Sequence, residues 1–250
     1  MERLARYGVI LDSAYRAWVK TSAQDELLPF AAEWLLDNYY LVRQALHQIE
    51  EDLPPSYYAE LPLVDEVPPS EPAPSEPAPN ETKPSTGARV PRVYAIAKAL
   101  VQQGTLHPAL ETEIEFLRAY QTETPLTIGE LWALPALLRY ALIERLALAA
   151  ARLTHELDVL LKITGLPAEA GGLPVGVDSA PSANDDSTVA DAIIGLRAIH
   201  DADWHLLFEA VSLVHQILAE DPAQVYTAMT YRTRDRYREE VERLARYSRS

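Results

Sequence analysis

From Thr124 to Thr164 the chain reads TPLTIGELWALPALLRYALIERLALAAARLTHELDVLLKIT, a stretch so apolar around most of a helical circumference that other helices must pack on it. Its start is marked. Thr127 stands three residues before Glu130, so hydroxyl and carboxylate can each satisfy an unpaired amide of the first turn, with Leu126 and Leu131 flanking the pair. Pro135 falls two turns in and removes a backbone hydrogen bond, which predicts a bend or a separated first segment. From Ala136 to Leu161 the leucines and alanines are dense, broken chiefly by Arg139, Tyr140, Glu144, Arg145, Arg152, His155, Glu156 and Asp158. The one candidate for a membrane span, Leu131 to Leu153, carries Arg139, Glu144, Arg145 and Arg152; setting these in lipid would cost roughly 2.5–3.5 kcal/mol each near the midplane, so the helix reads as one buried in protein rather than in a bilayer.

The rest of the composition agrees with an all-α fold. Glycine is scarce, with 9 in 250 residues, and alanine and leucine dominate an apolar content of 48%, enough to bury a sizeable core. A formal net charge of −15 opposes phosphate neutralisation, so nucleic acid is not an expected partner. No cysteine is present, which removes disulfides and thiolate chemistry. The opening MERLARYGVI begins an amphipathic helix and lacks the apolar core of a signal peptide.

Taken in order, Leu4, Tyr7, Leu11, Tyr15 and Trp18 form one helical stripe over residues 3–20, and Pro29 opens a second helix that ends at Pro54-Pro55. SYYAEL at 56–61 suits a single turn. These elements make an N-terminal helical pair over 1–64. Residues 65–88, with an imperfect SEPAP repeat, predict a disordered, extended tether, because they offer no side chain able to offset the entropy of ordering. A helical bundle over 89–250, packing with 1–64 as one domain, follows. Pro91 opens its first helix, Gly104 closes it, and His107-Pro108 starts the next. After the long helix a flexible loop spans 166–185, and its glycines lack the spacing of a phosphate cradle. Asp186 or Ser187 caps a helix through His200, Asp203 caps one long helix to Glu220, Asp221-Pro222 begins a short one and Thr233 begins the last. No segment alternates convincingly, so strands are not expected. The prediction is a bundle of about eight helices around the apolar one.

Six blocks carry a resemblance. AEWLLDNYYLVRQAL (32–46), EDLPPSYYAELP (51–62), PRVYAIAKAL (91–100), RAYQTETPLTIGELWALPALLRYALIERL (118–146), STVADAIIGLRAIHDADWHLLFEAVSLVHQIL (187–218) and DPAQVYTAMTYRTRDRYREEVERLAR (221–246) resemble, in order, the N-terminal region of the cyclic β-1,2-glucan synthases. That resemblance implies a bacterial inner-membrane enzyme that polymerises glucose from UDP-glucose and closes the chain into a ring. Its glycosyltransferase and phosphorylase-like domains lie downstream of the matched region. Ser56 stands where the family tends to have glycine, Val90 where an aromatic is usual, and the proline-rich tether reads as an insertion. No catalytic residue of the family maps onto this chain. The implied partners are downstream synthase domains, in cis or in trans, and the implied location is the cytoplasmic face of the inner membrane.

A glycan-related protein directs attention to carboxylates beside aromatic rings. Glu33 and Asp37 share a helix face next to Trp34, Tyr39 and Tyr40, and Trp132 follows Glu130 by two residues. Trp34, Asp37, Asn38, Tyr39, Tyr40 and Trp132 are therefore candidate β-1,2-glucan contacts, with Tyr57 and Tyr58 as further ring surfaces. The alternative is structural: a solvated acidic edge, core aromatics, Asn38 bonded to a neighbouring helix and Glu130 in its cap. Arg139 is expected to pair with Asp37 or Glu33. The histidines at 47, 107, 155, 200, 205 and 215 have no HExxH or HxxxH spacing, so no metal ligand set, no cofactor and no catalytic residue is assigned. Three readings remain: a non-catalytic module that orients synthase domains, a β-glucan-binding helical module, and a free-standing adaptor for which Met1 and Ser250 are the natural ends.

Overall fold

The computed structural model describes residues 2–24, 27–65, 89–104, 106–154 and 184–248. Among these residues the architecture is all-α. The elements are α1 (Glu2–Ser22), α2 (Phe30–Asp52), α3 (Pro55–Glu60), β1 (Leu63–Asp65), β2 (Arg89–Pro91), α4 (Arg92–Gln103), α5 (Glu111–Glu123), α6 (Ile128–Leu153), α7 (Asp185–Asp201), α8 (Trp204–Val211), α9 (Leu213–Ala219), α10 (Val225–Ala228) and α11 (Tyr231–Ser248). The tether from 66 to 88, the loop from 166 to 183 and the predicted continuation of α6 from 155 to Thr164 lie outside the described residues.

α6 is enclosed by its neighbours. Of its 26 residues 21 are buried, and α1, α2, α4 and α7 all pack on it. Its N-terminus is closed by a capping box: Thr127 Oγ1 accepts the Glu130 amide at 3.1 Å, and the Glu130 carboxylate accepts the Thr127 amide at 2.9 Å. Pro135 lies inside this helix without dividing it. α7 approaches α6 closely at Gly195, where an added Cβ would stand 3.0 Å from both terminal methyls of Leu142. A small residue there lets two leucine- and alanine-rich helices meet.

Buried polar side chains tie the helices together at fixed points. The Glu144 carboxylate of α6 accepts hydrogen bonds from Tyr7 of α1 at 2.8 Å and Tyr94 of α4 at 2.5 Å, with the Lys98 ammonium 3.8 Å away. Tyr140 sets its ring edge-to-face against both tyrosines. Glu130, fully buried, receives two hydrogen bonds from Arg92 at 2.8 and 2.6 Å, joining the start of α4 to the start of α6. At the other end of α6, Arg152 grips the buried Asp185 at the start of α7 with bonds of 2.7–3.1 Å. These are charge-assisted bonds in poorly hydrated surroundings, where each geometry excludes its alternatives.

Several local expectations are corrected. A short antiparallel ladder is present, pairing Leu63 with Pro91, Val64 with Val90 and Asp65 with Arg89. Three residues are too few for alternation to be legible, and Pro91 sits at the end of its strand, where the missing N–H is tolerated. The helix expected at His107-Pro108 starts at Glu111, after Leu110 turns into the left-handed region at φ 52°. The last helix begins at Tyr231 rather than Thr233. Asp186 does cap a helix, but that helix is α2: its carboxylate accepts the Ala31 amide at 3.0 Å, which Pro29 cannot serve.

The single helix expected after Asp203 is broken at Ser212. The Asp203 carboxylate caps α8, and the Ser212 hydroxyl accepts the His215 amide at 3.2 Å to cap α9. From α5, Arg118 donates to the Ala210 carbonyl at 3.1 Å and Gln121 to the Val211 carbonyl at 2.8 Å. Carbonyls that would otherwise be left unpaired by the break are thereby satisfied. α11 is anchored by Arg238, wholly buried, whose guanidinium lies 4.8 Å from the ring centres of both Phe208 and Tyr231 and bonds Asp235 at 3.0 Å. Arg234 adds two bonds to Glu209 at 2.7 and 2.9 Å.

Because Glu130 is shared by the cap and by Arg92, the two partners are separable by mutation. Arg92→Ala leaves a buried carboxylate uncompensated and is expected to cost about 3–5 kcal/mol, against about 1 kcal/mol for Thr127→Ala. Urea unfolding of the two variants checks the order, and equal losses would contradict it. Burial, reinforced by Glu144, pushes the Tyr7 and Tyr94 hydroxyls far above the ordinary tyrosine range. Tyrosines of the unfolded chain ionise near pH 10 while these two stay neutral in the fold, so their contribution is whole below about pH 10 and is lost as pH rises beyond it. Wild type should lose stability steeply on that alkaline limb, and the Tyr7→Phe, Tyr94→Phe double variant should show a shallower slope; identical slopes would contradict the assignment.

Candidate functional site

The two α2 residues at which the sequence places polar groups in an apolar helix, Asp37 and Asn38, lie beside a small depression. Its lining is Glu33, Trp34, Asp37 and Asn38 from α2 and Arg197 from α7, and its volume is about 260 Å³. Asn38 is buried, donating from Nδ2 to the Trp34 carbonyl at 2.9 Å and accepting from Arg197 Nη2 at 2.7 Å. Its amide is thus fixed in orientation by contacts on both sides. Glu33 and Asp37, one helical turn apart, are exposed at the rim. The half-buried Trp34 ring meets the exposed Phe30 ring edge-to-face, with centres 6.0 Å apart.

The depression therefore combines an aromatic surface, two carboxylate acceptors and a guanidinium held by an amide. Aromatic faces accept the apolar C–H faces of a pyranose, and planar fixed donors and acceptors suit hydroxyl pairs.

The other residues singled out from the sequence lie elsewhere. Tyr39 is buried between α1 and α2, stacked on Tyr15 with centres 4.1 Å apart and donating to Asp12; burial first, then that carboxylate, raises its hydroxyl above the usual range. Tyr40 points into solvent, 62% exposed. Tyr57 donates to the Gly129 carbonyl at 2.5 Å and seals the start of α6. Trp132 stacks on Phe208 at 6.1 Å between α6 and α8. The six ring-bearing candidates do not line one groove.

Arg139 is half a helix away from its expected partners. Its guanidinium lies 3.6 Å from Asp52 at the C-terminal end of α2, not beside Asp37 or Glu33. Burial lowers its proton affinity and Asp52 opposes that shift. The register of α2 on α6 decides this pairing, and spacing along one helix does not encode it. Sequence reasoning also missed Arg197 and Phe30. Phe30 had a usable signal, since it stands one turn before Trp34, while Arg197 is 159 residues from Asn38 and had none.

Among the described residues no group of three or more histidine, aspartate or glutamate side chains is arranged to hold a metal ion. None of their helices is long and apolar enough to cross a membrane.

Comparison with known proteins adds one match. No family model matches the chain. It is similar to the cyclic beta-(1,2)-glucan synthase NdvB of Rhizobium meliloti (strain 1021), with 26% identity over an alignment covering 94% of this chain and 10% of that protein. The chain thus spans about a tenth of the length of the curated relative it matches. The six sequence blocks and this alignment point to the same group of proteins.

Proposed function

We propose that this chain is a helical module of a cyclic β-1,2-glucan synthase-like system, and that it supports or orients the glycosyltransferase and phosphorylase-like parts rather than performing chemistry itself. The observation that carries the reading is the alignment: nearly the whole chain corresponds to a small fraction of a synthase. The buried polar groups support it. Glu144, Glu130 and Asp185 are engaged in helix-to-helix ties, and Arg238 of α11 reaches Glu209 of α8 at 3.4 Å, which together build a rigid body. In this reading the module sits at the cytoplasmic face of the inner membrane through the synthase parts it meets, whether these follow in the same polypeptide or are separately encoded.

A second reading is favoured by the α2–α7 depression, whose Trp34, Asp37, Asn38 and Arg197 suit a short stretch of β-1,2-glucan. In it the module also holds product or primer near the synthase.

Two experiments address these readings. Purified chain incubated with UDP-glucose and β-1,2-glucooligosaccharides should neither elongate nor shorten them, and turnover that persists through repurification would contradict the module reading. Titration of β-1,2-glucooligosaccharides against tryptophan fluorescence should give saturable quenching that Trp34→Ala removes and Trp132→Phe keeps. A flat titration would remove the glycan reading and leave the orienting role standing.

A further inference from the structure

The helices α8 to α11 meet at a cluster of charged and ring-bearing side chains that neither reading of the module uses. His215 of α9 lies at its centre, half-buried, with Nδ1 3.1 Å from the Tyr226 hydroxyl of α10 and 3.5 Å from Arg238 Nη1 of α11. A guanidinium offers only N–H groups, so a ring nitrogen that faces one must present its lone pair, and the neutral ring carries its proton on Nε2. In that tautomer the Tyr226 hydroxyl is a donor to the same lone pair. Two helices supply the charges that act on the ring: α8 brings the Glu209 carboxylate, and α11 brings Arg234 and Arg238, both bonded to that carboxylate. The neighbouring acids are committed elsewhere. Asp235 accepts from Arg238 at 3.0 Å, and Asp221, ahead of α10, accepts the backbone amides of Ala223 and Val225.

We propose that this cluster is an acid-sensitive latch, in which protonation of His215 undocks α11 from α8 and α9 and bares the Phe208 and Tyr226 rings. In the docked state Arg238 lies over the Phe208 ring at 4.8 Å, Tyr237 meets the Tyr226 ring edge-on at 6.4 Å, and both covered rings are buried. A proton on Nδ1 replaces an acceptor with a third cation beside Arg234 and Arg238, and Glu209 is the one carboxylate they would all share. The repulsion falls on α11, because those two arginines are its anchors. Burial is the largest cause holding the docked ring below the ordinary histidine range; Arg238 and Arg234 add to it and Glu209 opposes it. Once α11 is undocked the ring regains an ordinary proton affinity, near pH 6.5. Docking is therefore undiminished above about pH 6.5 and weakens progressively as pH falls below it. The latch involves the outer helices and is independent of both readings of the module's function.

The test is hydrogen exchange of the full native chain at about pH 7.5 and about pH 5.5, either side of the ordinary histidine value, each corrected for the intrinsic rate of unprotected amides. A ring that takes its proton only when undocked multiplies the undocked population by up to about tenfold over this interval. Protection across α11 in wild type should therefore fall several-fold between the two conditions. His215→Asn keeps a neutral group at the Nδ1 position and should hold α11 protection constant, whereas His205→Asn, which alters the histidine stacked on Tyr231, should retain the fall. Unchanged protection in wild type, or an equal fall in His215→Asn, would overturn the latch, and loss of the fall in His205→Asn would overturn it in favour of that other ring. Should His215→Asn prove unfolded at neutral pH, nuclear magnetic resonance titration of the wild-type histidines decides. A His215 ring that titrates below about pH 6.5 supports the latch, and one that titrates at or above it overturns it.

Discussion

One buried carboxylate fixes the arrangement of three helices. Glu144 sits within α6 among leucines and alanines, where an unpaired charge would be untenable, and it is accommodated because Tyr7 and Tyr94 arrive from α1 and α4 with hydroxyls directed at its two oxygens. Sliding or rotating either helix by one residue would withdraw a donor while leaving the apolar contacts largely interchangeable. The alanine- and leucine-rich surfaces supply cohesion, and the carboxylate supplies register.

The same division of labour recurs at both ends of α6. Glu130 with Arg92 sets where α4 begins relative to α6, and Asp185 with Arg152 sets where α7 begins. Between these points α6 has buried or half-buried residues throughout, so α1, α2, α4 and α7 share one core. α8 to α11 attach more peripherally, and their order depends on side chains serving interrupted backbone: Arg118 and Gln121 at the end of α8, Arg238 between two rings against α11. A cleft forms where this outer group meets the start of α6.

What could be read from the sequence was what is local. The Thr127–Glu130 spacing encodes its own hydrogen bonds, and Pro29 and Pro91 stand at the starts of helices because a missing N–H is harmless there. The break at Ser212 was hidden, because the apolar period runs through it and the compensating groups lie on α5, some 90 residues away. The three-residue ladder was hidden by its length. In the candidate site, Asp37 and Asn38 were conspicuous as polar residues in an apolar helix, yet the partner that orients Asn38 comes from α7 and the partner of Arg139 from the far end of α2. Pairings across elements depend on helix register, and register is a property of the packed body.

Native-state hydrogen exchange, followed by mass spectrometry over peptides from each helix, tests most directly whether the α6 contacts hold the fold together. Amides of α6 between Leu134 and Ala150 should exchange only through global unfolding, together with those of α2 and α7, while α11 should exchange through a smaller opening of lower free energy. Exchange of α6 at a lower free energy than α2 and α7, or of α11 as slowly as α6, would contradict an interior organised around the Glu144 carboxylate and its two tyrosines.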